Sequence, residues 1–185
     1  MFIDIHAHLN DERLIADVDN IILRANEQNV GKIVCVGSDY ESSILAISLS
    51  KKYKNVYATV GIHPYDCFMF DKKIEDLILS VSKNKKVIAI GEIGLDFNDI
   101  QYQIDQAKLK NPKLDLTEEI FKNKQKEIFL KQIELAHKIS LPIIIHMRES
   151  TNETLQILEN NKSLIKNGGI FHCYNGSLEI TKKIF

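Results

Sequence analysis

Short apolar runs alternate with longer amphipathic segments along the chain. The runs are FIDIH (2–6), GKIVCVG (31–37), NVYATVG (55–61), KVIAIGEIG (86–94), LPIIIH (141–146) and GGIFH (168–172). Each is short and rich in Ile or Val, as expected of strands buried on both faces of a parallel sheet. Several end in Gly or a polar residue, which marks the exit from a strand. Between them, apolar residues recur at helical spacing: Val18, Ile21, Ile22 and Ala25, then Ile44, Ile47 and Leu49, then Ile74, Leu77, Ile78 and Val81. The longest helix is predicted to open at Thr117, an N-cap residue followed by Glu118 and Glu119, where negative charge suits the helix dipole. Its Phe121, Ile128, Phe129, Ile133 and Ala136 share an arc of about 140° at about 100° per residue. Residues 98–116, polar and containing Pro112, are predicted to form an extended loop. A last helix is predicted from about Ser177, cut off at Phe185.

Strand-then-helix alternation implies parallel strands joined by right-handed crossovers. That leaves two α/β architectures, an open doubly wound sheet or a barrel. No strand is followed by the G-x-G-x-x-G fingerprint of a dinucleotide fold. In a barrel, functional residues gather at the carboxyl ends of the strands, which is where the histidines and Glu92 fall. A TIM-like (β/α) barrel is therefore the expectation. A complete one has eight strand–helix units and roughly 250 residues, whereas six units are visible here. Residues 1–185 read as a single domain, incomplete at its C-terminus by about two units. Strands one and six would each present an unpaired edge, so a complementing C-terminal piece or a second copy is an expected partner.

Composition narrows the function little. Twenty-four basic and 25 acidic residues leave a formal charge of −1, which argues against a protein that coats nucleic acid through a broad basic surface. It does not exclude one that grips a single phosphate. Cys35, Cys67 and Cys173 are odd in number and widely spaced, so they form no disulfide framework and suit a reducing compartment. The N-terminus meets Asp4 and His6 before a long apolar run, and no stretch approaches the roughly 20 apolar residues of a membrane helix. A cytoplasmic protein with no membrane partner is expected.

The chemistry lies in the histidines. His6 and His8 lie two apart on a predicted strand, and side chains so spaced share one face, about 6.5–7 Å apart along it. They can converge on one ion, imidazole being a good ligand for Zn and similar metals, or they are surface residues at a frayed terminus. Glu92 follows VIAIG; a carboxylate there is costly to bury unless paired or metal-bound, the alternative being a solvated loop acid. Its two oxygens can bridge two ions. His146 ends PIIIH and His172 ends GIFH. Singly, each reads as a capped or buried neutral histidine. Three strand ends carrying His and a fourth carrying Glu fit chance placement poorly.

His63, in VGIHPY, lies two residues beyond the third run, and Pro64 restricts it to an extended conformation. It can orient substrate, move a proton or close a turn. His137, inside the long helix, reads as structural or exposed. Arg148 can hold a phosphate oxygen through its planar fork or pair with Glu149, Glu153 or Asp96. Asp96 reads as a partner that orders the Glu92 loop. Cys173 reads as pointing to the side of the strand end opposite His172. Tyr65 and Tyr174 read as packing residues, with stacking on a base or sugar as the other role.

The segments DIHAHLN (4–10), GIHPY (61–65), GEIGLDF (91–97), PIIIHMRES (142–150) and FHCYNGS (171–177) together resemble the TatD family of metal-dependent deoxyribonucleases, in the amidohydrolase-like barrel superfamily. The resemblance covers essentially the whole chain. It implies two divalent ions (Zn, Mg or Mn), one held by His6 and His8, the other by His146 and His172, with Glu92 bridging. It also implies Glu92 and His63 as catalytic residues, His63 and Arg148 at the substrate, and DNA phosphodiesters cleaved by a water activated between the metals. Asn10 stands where the family usually has Asp, Tyr65 where it often has His, and Glu149 where it often has Asp. One further metal-binding and catalytic Asp is expected from a strand beyond residue 185. Two other readings remain: a related barrel hydrolase of amides, lactones or phosphotriesters, whose sites often use a modified lysine where Glu92 stands, and a non-catalytic fragment.

Overall fold

The computed structural model describes residues 1–184, Lys183 through its backbone alone. The chain runs β1 (Phe2–Ala7), α1 (Val18–Glu27), β2 (Val30–Cys35), α2 (Tyr40–Lys52), β3 (Val56–Val60), α3 (Lys72–Ser80), β4 (Val87–Asp96), α4 (Ile100–Lys110), α5 (Glu118–Ile139), β5 (Ile143–Arg148), α6 (Thr151–Asn160), β6 (Gly169–Phe171) and α7 (Leu178–Ile184). Phe185, where the sequence places the cut end of the last helix, lies outside the described residues. The six strands are all parallel and lie in the order β1-β2-β3-β4-β5-β6. The sheet curls: the ring of His6 on β1 stacks on that of His172, just past β6, with centroids 4.0 Å apart and planes at 10°. Strands at opposite ends of the sheet order thus meet over one point. This is the TIM-like barrel architecture expected from the sequence, with six strands in place.

Local chemistry explains the helices. Asp39 and Ser42 form a reciprocal capping box at the start of α2. The Asp71 carboxylate accepts from Lys73 N and Ile74 N at the start of α3. Thr117 caps α5, accepting from Ile120 N at 3.3 Å. The main core joins Ile74 and Ile78 of α3 and Phe129, Ile133 and Ala136 of α5 to strand residues including Val56, Ala58, Ile90 and Ile143. Val34, Val36, Ala89 and Ile144 form a separate buried group with no helix in it, the interior layer that a curled sheet creates.

Several boundaries differ from the sequence reading. Residues 98–116 are not an extended loop, because Ile100–Lys110 form α4. Its apolar stripe is narrow, Ile100, Ile104 and Ala107, with the polar Gln103 buried beside it. Pro112 sits past the C-cap Asn111 and so ends the helix rather than preventing it. Ile44 is exposed, while Ser43, Ala46 and Ser50 of α2 are buried. β4 runs on to Asp96 and β5 to Arg148, so Glu92 and His146 lie inside strands, and His172 lies one residue beyond β6. β3 ends at Val60, three residues before His63.

Both free edges leave apolar side chains uncovered. Phe2 and Ile3 of β1 and Ile170 of β6 are exposed. An apolar cleft of about 1000 Å³ opens beside β6, lined by Ile145, Leu158, Ile165, Phe171 and Ile184 among others. No helix among the described residues is long and apolar enough to cross a membrane.

Candidate metal centre

Glu92 is the hub. It sits in β4 behind a cis Gly91–Glu92 peptide, 3% exposed, its backbone N–H donating to Gly37 O at 2.9 Å. Thr59 Oγ1 donates to the preceding Gly91 carbonyl at 2.6 Å. Gly94, two residues on, has φ +149°, and a Cβ there would overlap the carbonyl oxygen of His146. Only glycine lets β4 approach β5 this closely, and that approach brings His146 to Glu92.

The two carboxylate oxygens of Glu92 serve different histidines. Oε2 lies 3.2 Å from His6 Nε2 and 3.8 Å from His8 Nε2, and these two nitrogens are 3.2 Å apart. Oε1 lies 2.6 Å from His146 Nδ1 and 2.6 Å from His172 Nε2, which are also 3.2 Å apart. His63 Nε2 stands 3.3 Å from His146 Nδ1 and 3.7 Å from Oε1. The structure therefore brings His6, His8, His63, Glu92, His146 and His172 together at the carboxyl ends of the strands. Two metal-sized donor groups can be drawn, His6–His8–Glu92 and His63–Glu92–His146.

The donor chemistry fits divalent cations. Each pair of imidazole nitrogens, 3.2 Å apart, aims at the same place as a carboxylate oxygen, and a cation there would satisfy all three. Imidazole with a bridging carboxylate is a ligand set that Zn, Mn and similar ions accept. Without a cation, burial pushes the Glu92 carboxyl upward, but hydrogen bonds from His146, His172 and His6 outweigh it and hold the group below the ordinary carboxylate range. Burial and then the charge of His146 lower His63 to about 4, so it is neutral at pH 7. For His146, burial acts downward, yet hydrogen bonds to Asp96 and Glu92 prevail and raise it to about 9. His8 is lowered by burial and by His6.

The remaining candidates divide. Arg148 is exposed at the rim, paired in register with Asp96 across β4 and β5. It bonds Asn98, whose amide accepts from Arg148 Nη2 at 3.1 Å and donates to Glu149 Oε1 at 2.9 Å when oriented to suit both. Tyr65 packs edge-on against His63 at 5.0 Å, and its amide donates to His63 Nδ1 at 3.2 Å. Tyr174 packs against Phe171. Cys173 is exposed, and His137 pairs with the Leu164 carbonyl at 3.1 Å, away from the centre. Asp96 is closer to the chemistry than the sequence suggests. Its Oδ2 is 2.7 Å from His146 Nε2. Three buried glutamines were not singled out by the sequence: Gln103 and Gln125 at Asp96, and Gln132, which grips both backbone groups of Ile62 beside His63. One signal was available, since Gln125 and Gln132 fall on the apolar stripe of α5.

Comparison with known proteins places the chain among metal-dependent hydrolases. The curated relatives include the uncharacterized metal-dependent hydrolase YabD of Bacillus subtilis, 40% identical over 185 residues, covering 99% of this chain and 64% of that protein. The 3'-5' ssDNA/RNA exonuclease TatD of Salmonella typhimurium is 28% identical over 174 residues, 94% of this chain and 60% of that one. The crystal structure of YjjV, a TatD homolog from Escherichia coli, superposes with a TM-score of 0.81 at 24% identity, covering 99% of this chain and 64% of that chain. The chain thus spans a little under two thirds of the length of the proteins it matches. The model of the TatD related DNase family matches residues 3–185, and the chain belongs to that family.

Proposed function

We propose that this centre holds two divalent cations and hydrolyses phosphodiester bonds of a nucleic acid, DNA foremost. The observation that carries the reading is the division of Glu92: one carboxylate oxygen faces His6 and His8, the other His146 and His172. A bridging carboxylate in that position would hold two ions close together and reduce their mutual repulsion. Ions bound there would supply Lewis acidity toward a phosphoryl oxygen and would lower the pKa of water. The name of the Salmonella relative, an ssDNA/RNA exonuclease, supports nucleic acid as the substrate class.

The surrounding residues have separable tasks. His63 is neutral, and its Nδ1 accepts from the Tyr65 amide, so its proton sits on Nε2, the nitrogen that faces the centre. It therefore offers a donor to a substrate oxygen rather than a lone pair to an ion, and positions the scissile phosphate. Arg148 presents its guanidinium at the exposed rim, where a planar fork suits a neighbouring phosphate. Burial of Glu92 keeps bulk water from the bridging oxygens.

The test is metal-dependent shortening of an end-labelled single-stranded oligonucleotide, run beside a phosphodiester dye ester and a dipeptide. Cleavage of the two phosphodiesters, mostly lost in the Glu92→Gln protein, is the expected result. Activity on the dipeptide alone, or near-native turnover by the Glu92→Gln protein, would overturn the reading.

A further inference from the structure

His146 is the only histidine of the cluster, among the described residues, with a carboxylate on each ring nitrogen. Nδ1 faces Glu92 at 2.6 Å and Nε2 faces Asp96 Oδ2 at 2.7 Å. Asp96 is 1% exposed, so its surroundings dictate what its two oxygens can do. Those surroundings form a chain of fixed donors. The Asp96 N–H must donate, and it donates to Gln125 Oε1 at 2.9 Å. That orients the Gln125 amide, whose Nε2 donates to Asp96 O at 3.0 Å and to Gln103 Oε1 at 2.9 Å. Gln103 is oriented in turn, and its Nε2 faces Asp96 Oδ1 at 3.3 Å, Asp96 O at 3.2 Å and Asn98 O at 2.6 Å. The backbone N–H of Asn98 donates to the same Oδ1 at 2.9 Å. Every orientation is anchored in a backbone group that cannot exchange donor for acceptor. Oδ1 thus meets two donors, and Oδ2 is left to accept from His146.

We propose that Asp96, locked by Gln103 and Gln125, is a positioning residue: it accepts the Nε2 proton of His146 and thereby keeps Nδ1 open toward the cation beside Glu92 Oε1. The proposal rests on the two-cation reading and adds to it a device that selects one tautomer of one ligand, as partners of metal-ligating histidines do. It makes a specific claim about Asp96→Asn. Asn98 N and Gln103 Nε2 will hold the new amide oxygen in the place of Oδ1. The amide NH2 then takes the place of Oδ2 and points a proton at His146 Nε2. That nitrogen must accept, so the ring proton moves to Nδ1 and blocks the ligand position. The substitution is nearly isosteric, and it inverts a ligand without emptying a space.

Two measurements on the full chain test this. In the zinc-loaded wild-type protein labelled with 15N-histidine, long-range 1H–15N correlations should show His146 protonated at Nε2, with Nδ1 shifted by the metal. Competition titration with a zinc chelator dye should show the Asp96→Asn protein binding zinc 10–100-fold more weakly, its metal-free melting temperature staying within about 4 °C of the wild type. A zinc-loaded wild type with the proton on His146 Nδ1 would overturn the role of Asp96, and this spectrum decides alone where Asp96→Asn fails to fold. Unchanged zinc affinity in a folded Asp96→Asn protein would overturn it too. A wild type that takes up no zinc, Mn or Co would overturn the two-cation reading itself, which separates the two failures.

Discussion

The two sides of Glu92 are built to different standards. On the side of His146 and His63, each histidine is braced from behind. His146 rests on Asp96, Asp96 on Gln103 and Gln125, and the residue before His63 has both backbone groups held by Gln132 at 2.8 and 3.0 Å. On the side of His6 and His8, the strand is an edge. The brace there is Asn10, whose Nδ2 donates to Val36 O and Ser42 O, and Asn10 Oδ1 and His6 Nδ1 are buried without a partner. His8 keeps 41% of its side-chain surface in solvent. The difference teaches that His146 and His63 are preorganised by the fold, whereas His6 and His8 at the end of β1 are left to depend on what they bind. Buried polar groups with complete networks hold one geometry, and incomplete ones do not.

The comparison can be broken most forcefully at Gly94. Gly94→Ala places a methyl against the His146 carbonyl at a φ of +149°, so β4 and β5 must part. The expected loss is about 4 kcal/mol or more, read as a fall in urea midpoint, and a near-native midpoint would contradict the close approach. Next comes Gln125→Leu, which strips partners from Asp96 N, Asp96 O and Gln103 Oε1. Asp96 O keeps Gln103 Nε2 at 3.2 Å, so the buried orphans are Asp96 N and Gln103 Oε1, and at about 1–3 kcal/mol for each a loss of about 3 kcal/mol is expected. Asn10→Ala on the looser side should cost about 1 kcal/mol, and equal costs would erase the contrast.

The pH dependence of the metal-free protein separates the histidines without mutation. His63 is depressed to about 4 from 6.5, so between those values the unfolded chain binds the extra proton and stability rises with pH. His146 is raised to about 9, so its contribution is complete below 6.5 and is lost as pH climbs from 6.5 to 9. Chemical denaturation should therefore show greatest stability near pH 6.5, and a profile still rising between 7 and 9 would contradict the bracing of His146. The smallest effect on folding belongs to His8→Ala. Its partly exposed ring should cost no more than about 0.5 kcal/mol, while equilibrium dialysis should show one cation retained of two.

The sequence carried the strands and the histidines because both follow strict rules: Ile- and Val-rich runs alternate with amphipathic ones, and His6, His8, Glu92, His146 and His172 fall near strand ends. It did not carry α4, because Ile100, Ile104 and Ala107 make too thin a stripe beside a buried Gln103, and Pro112 reads as a loop marker whether it lies within a segment or just past it. Nor did it carry the bracing of Asp96. A residue four beyond Glu92 on an extended strand meets His146 only because β4 and β5 pair with Gly94 opposite His146 and Asp96 opposite Arg148. Register between strands 50 residues apart is a tertiary fact, and periodicity within one strand holds no record of it.

Anomalous diffraction from crystals soaked in manganese tests the division of Glu92 most directly. Two peaks are expected, one bounded by His6 Nε2, His8 Nε2 and Glu92 Oε2, the other by His146 Nδ1, His172 Nε2 and Glu92 Oε1. A single peak shared by all four histidines, or density on one oxygen of Glu92 with the other oxygen bare, would contradict a bridging carboxylate.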